Sequence, residues 1–192
     1  MRHLMIDLET MGTRVNAPVV GIGPCFFDPN TGEIGRTFGR ETNLSDAMRY
    51  GTASGDTIKW WLKQSDDARL RVARDAEDAE TVFRAFYGFC EANCPASELW
   101  PWGNGASFDI SILDYAFPKI LNKPPPWRFY NVRDCRTIRE LAEGIVEYTG
   151  PMTGTKHVAL DDAIHQANYV SCYWQGLWRP KVPTSAPLVL DI

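Results

Sequence analysis

No run of 18 apolar residues occurs in the 192-residue chain, and residues 1–5 open directly into a strand pattern without an apolar signal region. Neither a membrane-spanning helix nor secretion is supported, and a cytoplasmic setting is the expectation. Cysteine is sparse and odd in number: Cys25, Cys90, Cys94, Cys135 and Cys172 are scattered along the chain, which fits reduced thiols better than a disulfide framework. Cys90 and Cys94 lie four apart on a predicted helix, but no second pair completes a zinc site, so they read as packed thiols. A surplus of positive charge is also missing. With 20 Lys and Arg against 24 Asp and Glu, the net charge of −4 argues against a broadly basic nucleic-acid-binding coat. Internal repeats and low-complexity segments are absent as well.

What remains is an ordinary globular composition, 44% hydrophobic and 23% charged, at a length that fills one α/β core. Residues 1–180 read as one domain and 181–192 as a Pro-containing tail. The segments 2–8, 18–27 and 32–40 have strand character, with a hairpin turn at 28–32. Helices are predicted over 45–50, 57–64, 68–74 and 77–91, the last marked by an apolar stripe of Val82, Phe83, Phe86, Phe89 and Cys90. A short strand at 99–102 leads through Gly103-Asn104-Gly105 to a helix over 109–117 with Ser107 as its N-cap. A short strand at 129–132, a helix over 133–143 and a long helix from near His157 to Trp178 follow. This order suggests a mixed sheet with helices packed against it.

The most informative segment is Asp7-Leu8-Glu9-Thr10 with Gly12, at the end of an apolar run. Leu4, Ile6 and Leu8 alternate with Met5, Asp7 and Glu9, so a strand sends both carboxylates to one face with their backbones ~7 Å apart. Like charges at that spacing repel unless a cation lies between them, and hard oxygen ligands suit Mg²⁺ or Mn²⁺. Three later positions complete a set: Asp109 in Asn104-Gly-Ala-Ser-Phe108-Asp109, and His157 with Asp162 in His157-Val-Ala159-Leu-Asp161-Asp162. Taken singly, Asp109 is a helix-start acid favoured by the macrodipole, and Asp162 is the same. Together the three motifs resemble, in order and spacing, those of the DEDDh (DnaQ-like) 3′-to-5′ exonucleases.

That resemblance implies a ribonuclease H-like α/β fold, with a five-stranded mixed sheet flanked by helices. It implies hydrolysis of phosphodiester bonds from the 3′ end of single strands or 3′ overhangs, releasing nucleoside 5′-monophosphates. Two Mg²⁺ or Mn²⁺ ions are implied, held by Asp7, Glu9, Asp109 and Asp162, with His157 taking the proton of the attacking water. Either of the adjacent acids Asp161 and Asp162 could face a strand on physical grounds; the family spacing selects Asp162.

Trp60 and Trp61 lie on a predicted helix about 100° apart, so one can enter the core while its neighbour lines a groove and stacks on a base; packing of both in the core is the alternative. Thr-x-x-Trp-Trp followed by Gln resembles the branch typified by a mycobacterial exoribonuclease and phage exonucleases, which tilts the expected substrate towards RNA. Thr10, Asn104 and Phe108 are further candidates for substrate contact, although Asn104 between two glycines also suits a turn and Phe108 suits the core. Arg133, Arg136 and Arg139 share helical spacing and could meet phosphates, while a solvated basic face is the commoner meaning. His165 receives no catalytic role. Two other readings follow from the same residues: a non-catalytic subunit that grips 3′ ends, and a nuclease confined to short oligonucleotides. Leu188, Leu190 and Ile192 in the tail offer a homodimer interface if exposed.

Overall fold

The alternating apolar residues of strand β1 (His3–Thr10) place it at the centre of the sheet, covered on both faces. The computed structural model describes residues 1–178. Strand β2 (Val19–Asp28) runs antiparallel to β1, and β3 (Glu33–Thr37) and the two-residue β4 (Arg40–Glu41) both pair antiparallel with β2. Helices α1 (Leu44–Ala47), α2 (Gly55–Trp61), α3 (Asp66–Ala73) and α4 (Ala79–Asn93) follow in turn. Strand β5 (Trp100–Gly103) lies parallel to β1 and leads into α5 (Ala106–Leu121). A 3₁₀ turn (Phe129–Asn131), β6 (Arg133–Asp134), α6 (Cys135–Leu141) and α7 (Ala159–Trp178) complete the described residues, with β6 parallel to β5. The sheet order is β3-β2-β1-β5-β6, and β4 pairs with β2 off this path.

Four details differ from the sequence reading. The sheet has six strands, because 32–40 divides into β3 and β4 around residues 38–39. Residues 129–131 form the 3₁₀ turn, and the strand pairing falls on Arg133 and Asp134. Arg133 therefore precedes α6, whose N-cap is Asp134, and its guanidinium lies over Trp100, 4.5 Å from the ring centre, so it does not share a helical row with Arg136 and Arg139. Finally, α5 is capped by Gly105, whose φ of +98° suits glycine, and Ser107 lies inside the helix. The proposed tail, with Leu188, Leu190 and Ile192, lies outside the described residues.

The period of two on β1 divides the core as expected. Leu4, Ile6 and Leu8 face α4 and α5 in one buried cluster with Phe83, Phe86 and Phe117. Each such large side chain contributes roughly 1.5–3 kcal/mol by leaving water. Met5 belongs to the other cluster, with Cys135 and the Ala163, Ala167 and Val170 stripe of α7. Asp7 and Glu9 continue along that second face, so the helix that covers it also brings His157 and Asp162. Cys90 and Cys94 are buried free thiols, as are Cys25 and Cys135. No helix among the described residues is long and apolar enough to cross a membrane.

Candidate active site

Two glycines on β2 open the space for the site. Gly23 pairs with Asp7 and Gly21 with Glu9. A Cβ at Gly23 would overlap the backbone of Ala159 and Leu160, so only glycine lets the start of α7 settle on the sheet beside Asp7. The approach carries the 155–158 loop over the strand end. There Glu9, His157 and Asp162 each present one ligand-type atom, all within 4.8 Å of one another.

The loop separates the two adjacent acids. Asp161 accepts a hydrogen bond from the Thr155 backbone N–H at 2.7 Å and fastens the loop to the helix. Asp162 accepts from the His157 backbone N–H at 2.8 Å and lies with Glu9. His157 has a φ of +65°, an uncommon backbone for a residue with a side chain, and this turn points its ring into the cluster. Asp109, in the first turn of α5, is 3% exposed and is held by backbone N–H groups of Leu8 and Asn104 and its own amide.

All four carboxyls are pushed above the usual carboxylate range, in each case first by loss of water. Glu9 rises to about 8, with Asp162 and Asp109 adding repulsion. Asp109 rises to about 7 against the pull of its amide donors and of Arg136. Asp7 lies well above its ordinary value, raised further by Asp109 and Glu9, and Asp162 is raised despite the His157 N–H. The His157 imidazole is moved the other way, below 6.5, by partial burial, with Asp162 opposing.

The sign of the linkage follows. An acid that holds its proton more tightly when folded adds stability below its unfolded value near ~4, and that stability is lost as pH climbs through the folded value. For Glu9 and Asp109 the loss runs up to about 8 and about 7. Each tenfold change in proton affinity is worth ~1.4 kcal/mol, and a chain of this size shifts its melting point by about 2–4 °C per kcal/mol. In EDTA the melting temperature should therefore fall on the order of 10 °C between pH 5 and pH 8. A flat profile by scanning calorimetry would mean that folding does not raise these carboxyls.

The substrate candidates separate cleanly. Trp61 is 5% exposed and donates its indole N–H to the Thr10 carbonyl at 2.9 Å, while Trp60 is 42% exposed with its ring edge-on to His157 at 4.8 Å between centroids. One tryptophan thus anchors α2 to the end of β1 and the other stands beside the imidazole. The Thr10 hydroxyl donates to the Gly12 carbonyl at 2.7 Å and fixes the turn. Asn104 is half-buried beside Asp109, and Phe108 is half-buried against the α4–α5 core. Gln166 is a residue that sequence reasoning missed. It is 5% exposed, and its amide donates to Asp7 Oδ1 at 2.7 Å, which restrains that carboxylate. Its place one helical turn after Asp162 is the signal that could have found it. His165 packs among Tyr148 and Tyr169.

A mixed sheet with four acids gathered at the end of its central strand defines the ribonuclease H-like exonuclease class, and solved structures share the fold. The nuclease domain of 3′hExo, a DEDDh family member bound to rAMP, superposes with a TM-score of 0.57 at 16% identity, covering 88% of this chain and 89% of that one. E. coli ExoI, in its zinc-ion-bound complex with ssDNA, gives a TM-score of 0.63 at 14% identity, covering 92% of this chain and 40% of that one. An exodeoxyribonuclease of Enterobacteria phage T4 is 31% identical over 160 residues, 71% of this chain and 70% of its own. The chain belongs to the Rv2179c-like family of 3′-5′ exoribonuclease domains, whose model matches residues 2–174. It is an exonuclease, a hydrolase of phosphodiester bonds.

Proposed function

We propose that this protein is a metal-dependent 3′-to-5′ exonuclease acting on single strands or 3′ overhangs, with RNA preferred to DNA. The observation that carries the reading is the convergence of Glu9, Asp162 and His157 within 4.8 Å, on a floor where Asp7 and Asp109 are also raised, first by burial. The donor set fits Mg²⁺ or Mn²⁺: the acids are hard oxygen ligands, and carboxylates cut off from water by burial gain most from a bound cation. Asp7 would hold both ions, Glu9 and Asp162 one of them, and Asp109 the other. When bound, such a pair lowers the proton affinity of the attacking water and offsets charge on the leaving oxygen.

The chain's own groups supply the rest. Gln166 keeps one oxygen of Asp7 in place, and the Asn104 and Leu8 amides favour the charged form of Asp109. His157, neutral at pH 7, accepts the water's proton on the ring nitrogen that faces Glu9 and Asp162. Trp60 offers an exposed ring for the terminal base, an interaction worth roughly 1–3 kcal/mol and indifferent to base identity. The preference for RNA draws on the family description, while the phage relative is named for DNA.

Matched 5′-labelled RNA and DNA single strands, incubated with Mn²⁺ or EDTA and resolved over time, test the proposal. The expected result is a metal-dependent ladder shortening from the 3′ end, faster on RNA. Intact strands with Mn²⁺ present, while binding persists, would make the protein a 3′-end-binding module instead.

A further inference from the structure

The cleft that contains Glu9 and His157 has three arginines in its lining, with Glu41 and Asp161 beside them. A cavity of about 340 Å³ is lined by these two residues together with Arg40, Glu41, Arg71 and Arg74. A second hollow of about 390 Å³ shares Arg71 and Arg74 and runs on between α3 and Thr155 of the histidine loop. The two hollows adjoin at Arg71 and Arg74, so the pair of guanidiniums stands where the space beyond the candidate site begins. Arg71 donates one nitrogen to Glu41 at 3.1 Å, and Arg74 contacts the other oxygen of the same carboxylate. Arg40 is held by Glu77 at 2.9 Å. Glu41 thus aligns two planar donor forks while neutralising only one of their charges. Each fork has five N–H donors, enough to keep this partner and meet a phosphate oxygen as well.

The geometry points to a binding subsite for an internucleotide phosphate, formed by Arg71 and Arg74 where the two hollows adjoin. The inference rests on the exonuclease reading for its direction. A nuclease that removes the 3′-terminal nucleotide has no further phosphodiester on the 3′ side of the bond, so this phosphate lies on the 5′ side. In a chain of net charge −4, such a subsite gives a polyanion a local reason to enter a cleft floored by acids.

Equilibrium binding of a labelled twelve-nucleotide single strand, followed by fluorescence anisotropy in EDTA across a KCl series, tests this without cleavage. Arg71→Gln with Arg74→Gln should bind about five- to ten-fold more weakly at 50 mM KCl, with a salt slope smaller by roughly 0.7–1.4. Arg71→Lys with Arg74→Lys should restore the slope. Glu41→Gln removes the brace and spares the cations, so it should bind as tightly as the wild type or more tightly. Equal weakening by Glu41→Gln, or wild-type binding by the double Gln variant, would overturn the subsite and leave the arginines as ties between α3 and β4. Failure of the exonuclease reading shows separately, as a strand that is bound with this arginine dependence yet stays intact with Mn²⁺.

Discussion

Replacing Asp7 by Asn should lower turnover by on the order of a thousand-fold or more while making the metal-free protein more stable. The loss follows from the proposed site: a carboxylate that would hold both ions would support transition-state stabilisation of several kcal/mol, and each ~1.4 kcal/mol is tenfold in rate. The gain follows from the same position. Asp7 lies among Glu9, Asp109 and Asp162, and burial with that repulsion drives its carboxyl well above the ordinary range. An amide removes the charge and keeps an Oδ1 acceptor for Gln166. Turnover on labelled strands and calorimetric melting in EDTA at pH 8 read the two effects. Intact metal-dependent cleavage would end the two-ion proposal. A lower melting temperature would show that Asp7 is not strained by its neighbours. The opposite signs matter, because a variant that merely unfolds would lower both quantities.

The central features of this molecule were legible because they depend on periodicity. Alternation along β1 assigned Leu4, Ile6 and Leu8 to one face and Met5, Asp7 and Glu9 to the other, and the two buried clusters follow that division. The long helices were found for the same reason, within two or three residues of their ends, apart from α5, which begins three residues early and runs four further. Strands β4 and β6 were missed or displaced because two residues carry no period, and their pairing is decided by β2 and β5. On physical grounds alone Asp161 and Asp162 stayed open, and the family spacing selected Asp162; in the fold both acids occupy the first turn of α7 and accept from different amides, those of Thr155 and His157. The Arg71, Arg74 and Glu41 cluster joins β4 to a helix of weak pattern some thirty positions later, so only the folded chain brings it together. The Gly21-Ile22-Gly23 spacing was a missed signal: alternate glycines on a strand paired with Asp7 and Glu9 mark a close approach.

His157→Asn should reduce turnover by roughly a hundred- to ten-thousand-fold, the range expected for loss of a positioned proton acceptor. Asn is the more informative replacement than Ala because it tolerates the positive φ that this position holds, so the loop and its N–H to Asp162 should survive. Metal affinity, read by calorimetric titration with Mn²⁺, and strand affinity, read by anisotropy, should change little. The imidazole is pushed below 6.5 by partial burial, so the wild-type rate should fall as acid protonates it, and that dependence should be absent from the residual rate of the variant. Trp60 and His157 meet in a T-shaped ring contact, which would tie the proposed proton acceptor to the surface proposed for the terminal base. Trp60→Leu should accordingly weaken strand binding, while His157→Asn should act on turnover. Wild-type turnover in the His157→Asn protein would mean that the water loses its proton to another group, and the role proposed for His157 would have to be withdrawn.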